Sequence, residues 1–121
     1  MRRLAMLALA CGCMPSGEDA EVARAICRFI RRGHGGFPDP DEQNGKAMVW
    51  SPGAGGNPGI IVYGITTPEE MDVIEKLARE ALHATPGANS VTLAFYDWRL
   101  RPEGVHERQS RKLLREVSFE R

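Results

Sequence analysis

Apolar residues recur at helical spacing soon after the N-terminal segment of the chain. They form one stripe, which consists of Val22, Ile26, Phe29 and Ile30. A stripe with this period predicts an amphipathic helix that packs on a core. Ser16 and Asp19 have the spacing of a capping box at its start, and Gly33 is a residue that commonly ends a helix. We therefore predict a first helix over residues 16–33, in which Cys27 is a small buried apolar residue.

A second helix is predicted after residue 67 by stronger local signals. Thr67 suits the cap, Pro68 suits the first helical position, and Glu70 is placed to return a bond to the cap backbone. The apolar face is formed by Met71, Ile74, Leu77, Ala78, Ala81 and Leu82. The Pro and Gly at positions 86 and 87 predict an end near Ala84.

Alternation of apolar and polar residues predicts the strands. Residues 90–98 alternate cleanly, residues 60–65 are β-branched or aromatic, and residues 47–50 form a short apolar run. The Gly- and Pro-rich residues 51–59 predict a flexible hairpin loop. Residues 112–119 also alternate, which favours a strand, although Leu113, Leu114 and Val117 would suit a helix as well.

The order of these elements predicts the fold. A strand, a helix and a strand within residues 60–98 form a βαβ unit with parallel strands. The complete order is α-β-β-α-β-β. We predict an α+β fold, a two-layer sandwich in which two helices cover one face of a mixed four-stranded sheet. Residues 14–121 then form a single small domain, which is an ordinary size for one core.

Residues 1–13 carry a pattern of their own. Arg2 and Arg3 precede an apolar run over residues 4–10, and small residues precede Cys11 and Cys13. This segment resembles the signal of bacterial lipoproteins. The resemblance implies lipidation at Cys11 or Cys13, a lipid that anchors the chain in a membrane, and a location in the cell envelope on the periplasmic side.

Two other interpretations of residues 1–13 remain open, and the alternative location of the chain is the cytoplasm. The segment can pack on the domain as structure, or Cys11 and Cys13 can form a metal or redox pair. No second Cys or His pair follows at zinc spacing. A membrane span is excluded, because the apolar run is far shorter than the roughly 20 residues that a bilayer requires.

Composition limits the classes of function. The chain has 121 residues, 42% of them hydrophobic, with 16 basic and 16 acidic residues. Zero net charge argues against a dedicated nucleic-acid-binding protein, so we expect no nucleic-acid partner. The Arg-rich residues 108–115 keep a cytosolic nucleic-acid-binding domain as an alternative. The three histidines are widely separated, and we expect no metal site and no cofactor.

The aromatic residues suggest where the chain binds. If the helices cover the other face of the sheet, the open face carries Tyr63, Tyr96 and Trp98, with Arg99 and Arg101 at its rim. Aromatic and Arg side chains are enriched in protein interfaces. We therefore predict that the protein binds or scaffolds a protein or another envelope partner. The alternative is that the chain from Gly104 onward covers these aromatics.

An enzyme is the remaining alternative. His34 lies next to a loop that contains Asp39 and Asp41, and a His with a carboxylate can act as a general base. A second catalytic group is not identifiable in the sequence, so we assign no catalytic residue.

Overall fold

The computed structural model describes residues 16–35, 46–97 and 112–121. Two helices and four strands follow one another in the predicted order. They are α1 (Gly17–His34), β1 (Ala47–Ser51), β2 (Gly59–Tyr63), α2 (Pro68–Ala84), β3 (Ser90–Tyr96) and β4 (Leu113–Glu120). The predicted α+β class is confirmed, and residues 113–120 form the strand that their alternation favoured.

Helix α1 begins where the capping box predicts. The Ser16 side chain accepts from the N–H of Asp19, and the Asp19 carboxylate accepts from the N–H of Ser16. The predicted end at Gly33 is wrong, because Gly35 takes the left-handed conformation that caps the helix. Gly33 lies inside the helix, where a Cβ would collide with the side chain of Leu77. The end of the Leu77 side chain on α2 thus occupies the space beside Gly33.

Helix α2 is capped at both ends by groups that satisfy its backbone. The Thr67 side chain accepts from the N–H of Glu70, and Pro68 occupies the first turn. At the other end, the Arg121 guanidinium donates to the carbonyls of Leu82, Thr85 and Ala88 at 2.8–3.2 Å. The C-terminal residue of the chain thus closes the C-terminus of α2, where a positive charge is also favourable.

The sheet has the strand order β1-β2-β3-β4. Strands β2 and β3 are parallel, as the βαβ unit predicts, and β1 and β4 pair antiparallel at the two edges. Strand β2 is shorter than predicted, because Gly64 follows Tyr63 with a φ of 84°. Strand β3 ends at Tyr96, two residues before its predicted end.

The core lies between the two helices and one face of the sheet. Its largest buried side chain is Phe95, and the others include Ile26, Ile30, Ile60, Ile74, Leu82, Leu93 and Val91. Cys27 is buried as predicted, and loss of hydration raises the pKa of its thiol to about 11. The buried set follows the predicted helical and alternating patterns, so the sequence pattern specifies which face of each element is inside.

The Gly-rich loop between β1 and β2 packs against the start of α1. The N–H of Gly56 donates to the Asp19 carboxylate at 2.9 Å. The N–H of Asn89 donates to the carbonyl of Gly56 at 2.7 Å. Hydrogen bonds from Ser16 and from Gly56 lower the pKa of Asp19. The loop is therefore part of the packed domain, rather than a free hairpin tip.

The strands and helices give the domain two distinct ends. At one end, which we call the hairpin end, α1 begins, the β1–β2 loop turns, and α2 stops. At the other, which we call the tyrosine end, α1 and strands β2 and β3 stop, and β1, α2 and β4 begin. Helix α1 has 18 residues and runs between them, so the two ends are about 27 Å apart.

Candidate functional site

Two tyrosines meet on the open face of the sheet at the tyrosine end. Tyr63 and Tyr96 are register partners in the parallel strands β2 and β3. Their ring centroids are 6.0 Å apart with planes inclined by 33°, and both side chains are half-buried. Trp98, Arg99 and Arg101 lie outside the described residues. The structure thus places two of the five predicted surface residues together, and the binding role of the set stays a prediction.

Along the rest of the open face, the side chains change from apolar to polar between the tyrosine end and the hairpin end. The row next to the tyrosines contains three apolar residues in register, Val49, Ile61 and Ala94. Val49 is half exposed. The following row carries hydroxyls, and those of Thr92 and Ser118 are 2.8 Å apart. An aromatic and apolar patch therefore borders a polar strip on one continuous surface.

A cluster of charged groups at the same end was not predicted from the sequence. Atom Nε2 of His34 lies 3.3 Å from Oε2 of Glu70, and Nζ of Lys46 lies 3.5 Å from the same oxygen. The His34 side chain is only 11% exposed. The sequence pairs His34 with Asp39 or Asp41, which lie outside the described residues. Among the described residues, the carboxylate that meets His34 comes from the first turn of α2.

The cluster joins three elements at the tyrosine end. His34 ends α1, Lys46 precedes β1, and Glu70 lies in the first turn of α2. Within the described ranges, no group of three His, Cys, Asp or Glu side chains is arranged to hold a metal ion. The cluster therefore ties the end of α1 and the start of β1 to the first turn of α2.

The basic tail is partly neutralised. The Arg115 guanidinium lies 2.8 Å from Asp72 and 2.6 Å from Glu75 of helix α2. Hydrogen bonds to Asp72 and Glu75 raise the pKa of Arg115. Phosphate binding needs a cation that is not already paired with carboxylates. Arg115 therefore fastens β4 to α2, and residues 108–111 lie outside the described part of the chain.

An acidic cleft marks the hairpin end. It encloses about 420 Å³ and is lined by Glu18, Asp19, Glu21, Val22, Gly55, Gly56, Pro86 and Gly87. Acidic side chains are favourable in the first turn of a helix because they oppose the positive end of its dipole. The carboxylates here therefore serve α1 itself.

Comparison with protein-family models, with curated proteins and with solved structures finds no match. In the part of the chain that the structure describes, no helix combines the length and the hydropathy that a membrane span requires.

Proposed function

We propose that this chain is an exported, lipid-anchored protein of the cell envelope that acts by binding a protein partner. Support for the anchor comes from residues 1–13, with Cys11 or Cys13 as the lipidated residue. Helix α1 also carries its own cap in Ser16 and Asp19, so its start needs no residue of the signal segment. Removal of that segment would leave the cap intact.

The binding role is supported by the position of the surface around Tyr63 and Tyr96, which we call the tyrosine surface, relative to the proposed anchor. The chain enters the domain at the hairpin end, whereas Tyr63 and Tyr96 lie at the tyrosine end. The length of α1 separates the two by about 27 Å. A lipid next to Ser16 therefore leaves the tyrosine surface clear of the point of attachment.

The chemistry of the surface suits a protein partner. Two tyrosines supply a large apolar area and hydroxyls that hydrogen-bond at the rim. Val49, Ile61 and Ala94 extend the apolar area across three strands, and Thr92 and Ser118 border it with polar groups. An apolar centre with a polar rim is the usual arrangement of a protein interface.

Lipidation is tested by intact-mass analysis of membrane and soluble fractions from a bacterium with working signal peptidases. We expect a membrane-bound chain that begins at Cys11 or Cys13 and carries diacylglycerol. Variants Cys11→Ser and Cys13→Ser identify the residue, because only one of them should block processing. Recovery of a soluble chain that still contains Met1 would refute the anchor.

Binding is tested by placing a photoreactive side chain at chosen positions in cells. We expect one discrete crosslinked protein when the probe replaces Tyr63 or Val49. The matched control replaces Asn57, an exposed residue of the β1–β2 loop at the hairpin end, and it should give no such product. Equal crosslinking at both ends, or none at Tyr63 and Val49, would argue against the tyrosine surface.

A further inference from the structure

In the described part of the chain, strand β4 has one side without a strand partner, and the hydrogen bonds of the sheet show which backbone groups lie there. The N–H of Thr92 donates to the carbonyl of Pro58, and the N–H of Gly64 donates to the carbonyl of Tyr96. Even-numbered residues of β3 therefore direct their backbone groups towards β2. The odd-numbered residues of β3 direct theirs towards β4.

The same alternation continues into β4. Leu93 is the register partner of Val117, so Val117 exchanges backbone hydrogen bonds with β3. Glu116, Ser118 and Glu120 consequently direct their N–H and C=O groups outwards. Among the described residues, none pairs with this outer side. A long strand with an open edge is a template for another strand.

We propose that the occupant of this edge is a second copy of the chain, paired antiparallel through β4 about a two-fold axis at Val117. In this register, Glu116 of each copy pairs with Ser118 of the other, and Glu120 pairs with Leu114. The outward backbone groups of Glu116 and Ser118 are then hydrogen-bonded, whereas Glu120 lies opposite Leu114, where the register of β4 shifts. The Ser118 hydroxyl can also donate to the Glu116 carboxylate opposite it, because both side chains lie on the open face.

The neighbouring registers are disfavoured by charge. An axis at Glu116 places the two Glu116 carboxylates directly opposite each other. An axis at Ser118 places Glu116 opposite Glu120 twice. Like charges opposite each other across strands are destabilising. A shift by a single residue between strands is excluded as well, because it pairs the helix-covered face of one copy with the open face of the other.

The proposed pairing also covers apolar surface. Val117 and Phe119 are half-buried at the edge of the core, and the Arg79 guanidinium lies 4.6 Å from the centre of the Phe119 ring. The two-fold axis is perpendicular to the sheet. The dimer therefore has one continuous eight-stranded sheet with four helices on one face, and the edges of the two cores meet at Val117.

Oxidative crosslinking tests the register. Val117 lies on the axis as a non-hydrogen-bonded pair, in which Cβ atoms are about 5 Å apart. In the full chain with Cys11 and Cys13 changed to Ser, Val117→Cys should give a disulfide-linked dimer on mild oxidation. Ser118→Cys is the matched control, because its partner is Glu116. Equal crosslinking at both positions, or none at position 117, would overturn the proposal. Loss of Cys11 and Cys13 keeps this outcome independent of lipidation.

The substitution Ser118→Pro tests pairing through the edge of β4 without introducing a thiol. The N–H of Ser118 points away from β3, so Ser118→Pro removes a donor that the monomer does not use. Ser118→Ala is the control for loss of the hydroxyl contact with Thr92. In sedimentation velocity, the parent and Ser118→Ala should have twice the monomer mass of 13.4 kDa.

The dissociation constant of the Ser118→Pro dimer should be about tenfold higher or more. Its melting midpoint should stay close to that of Ser118→Ala. A dimer that Ser118→Pro leaves intact, or a parent that stays monomeric, would refute pairing through β4.

Discussion

The substitution that should destabilise the fold most is one that removes the Phe95 ring. Phe95 is completely buried, and its register partners are Val62 on β2 and Arg115 on β4. Loss of a buried Phe side chain to Ala costs about 3–5 kcal/mol, because apolar contacts are lost and a cavity remains. A domain of this size has a total stability of about 5–15 kcal/mol, so the variant keeps only a part of it.

Urea unfolding followed by circular dichroism measures this loss. With a denaturant slope of about 1.5 kcal/mol/M, the expected cost moves the midpoint of Phe95→Ala down by about 2–3 M. Phe95→Leu keeps much of the apolar volume and should cost about 1 kcal/mol. Ala94→Ser changes the adjacent residue on the open face and should cost about 0.5 kcal/mol or less. A midpoint for Phe95→Ala close to that of Ala94→Ser would refute the position of the core.

Three further predictions test the hairpin end and the core. Gly56→Ala should cost about 1–3 kcal/mol in thermal melts, and more than Gly55→Ala, because both have positive φ but only Gly56 meets a backbone carbonyl, that of Gly87. Cys27 should react with a thiol reagent at pH 8 only in urea, since its thiol is buried with a pKa of about 11; fast labelling of the folded chain would contradict this. The lowered pKa of Asp19 stabilises the fold above pH 3.8, and that contribution is lost as the pH falls through the folded-state pKa. Wild type should therefore exceed Asp19→Asn in unfolding free energy at neutral pH, and the difference should shrink below pH 3.8.

Local signals made most of the fold predictable. Thr67 and Pro68 mark the start of α2 because a cap and a fixed φ act within one turn, whatever lies elsewhere in the chain. The alternation in β3 likewise identifies Phe95 as a core residue and Tyr96 as an open-face residue. The error at Gly33 arose because glycines stand at positions 33 and 35, and only the contact with Leu77 distinguishes the glycine inside the helix from the one that caps it.

The candidate site was less predictable because its contacts are distant in sequence. Glu70 meets His34 only because α1 ends beside the start of α2, and no local pattern encodes that meeting. Arg121 caps α2 for a similar reason: β4 brings the C-terminal residue to Thr85. The backbone groups of β4 that point outwards could be identified only from the register of β2, β3 and β4. The tyrosine pair was accessible to prediction because a parallel βαβ unit aligns the ends of its two strands.

If the proposed lipid anchor and the proposed β4 pairing both hold, together they restrict how the dimer lies on a membrane. Antiparallel pairing places the two starts of α1 at opposite ends of the dimer, each in the helix layer. From Cys13 or Cys11 to Ser16 the chain spans at most about 10–18 Å, which is shorter than the roughly 27 Å between the two ends of the domain. A dimer standing on one end therefore cannot place both lipids in the bilayer.

Both lipids reach the bilayer when the helix layer faces the membrane and the two-fold axis lies along the membrane normal. This orientation turns the helix layer, which exposes Arg28 and Arg32 as well as acidic residues of both helices, towards the headgroups, and it directs Tyr63 and Tyr96 away from them. A fluorescent label introduced by Arg28→Cys in the lipidated chain should be quenched strongly by headgroup-quencher lipids. A label at Thr92→Cys, on the open face, should be quenched much less.

Ser118→Pro provides the control for this orientation, because a single anchor leaves the monomer free to tilt. The difference in quenching between positions 28 and 92 should shrink in that variant. Quenching that is equal at the two positions in the paired protein would exclude the flat orientation. Stronger quenching at Thr92 would place the open face on the membrane, and it would assign the tyrosine surface to lipid instead of to a protein partner.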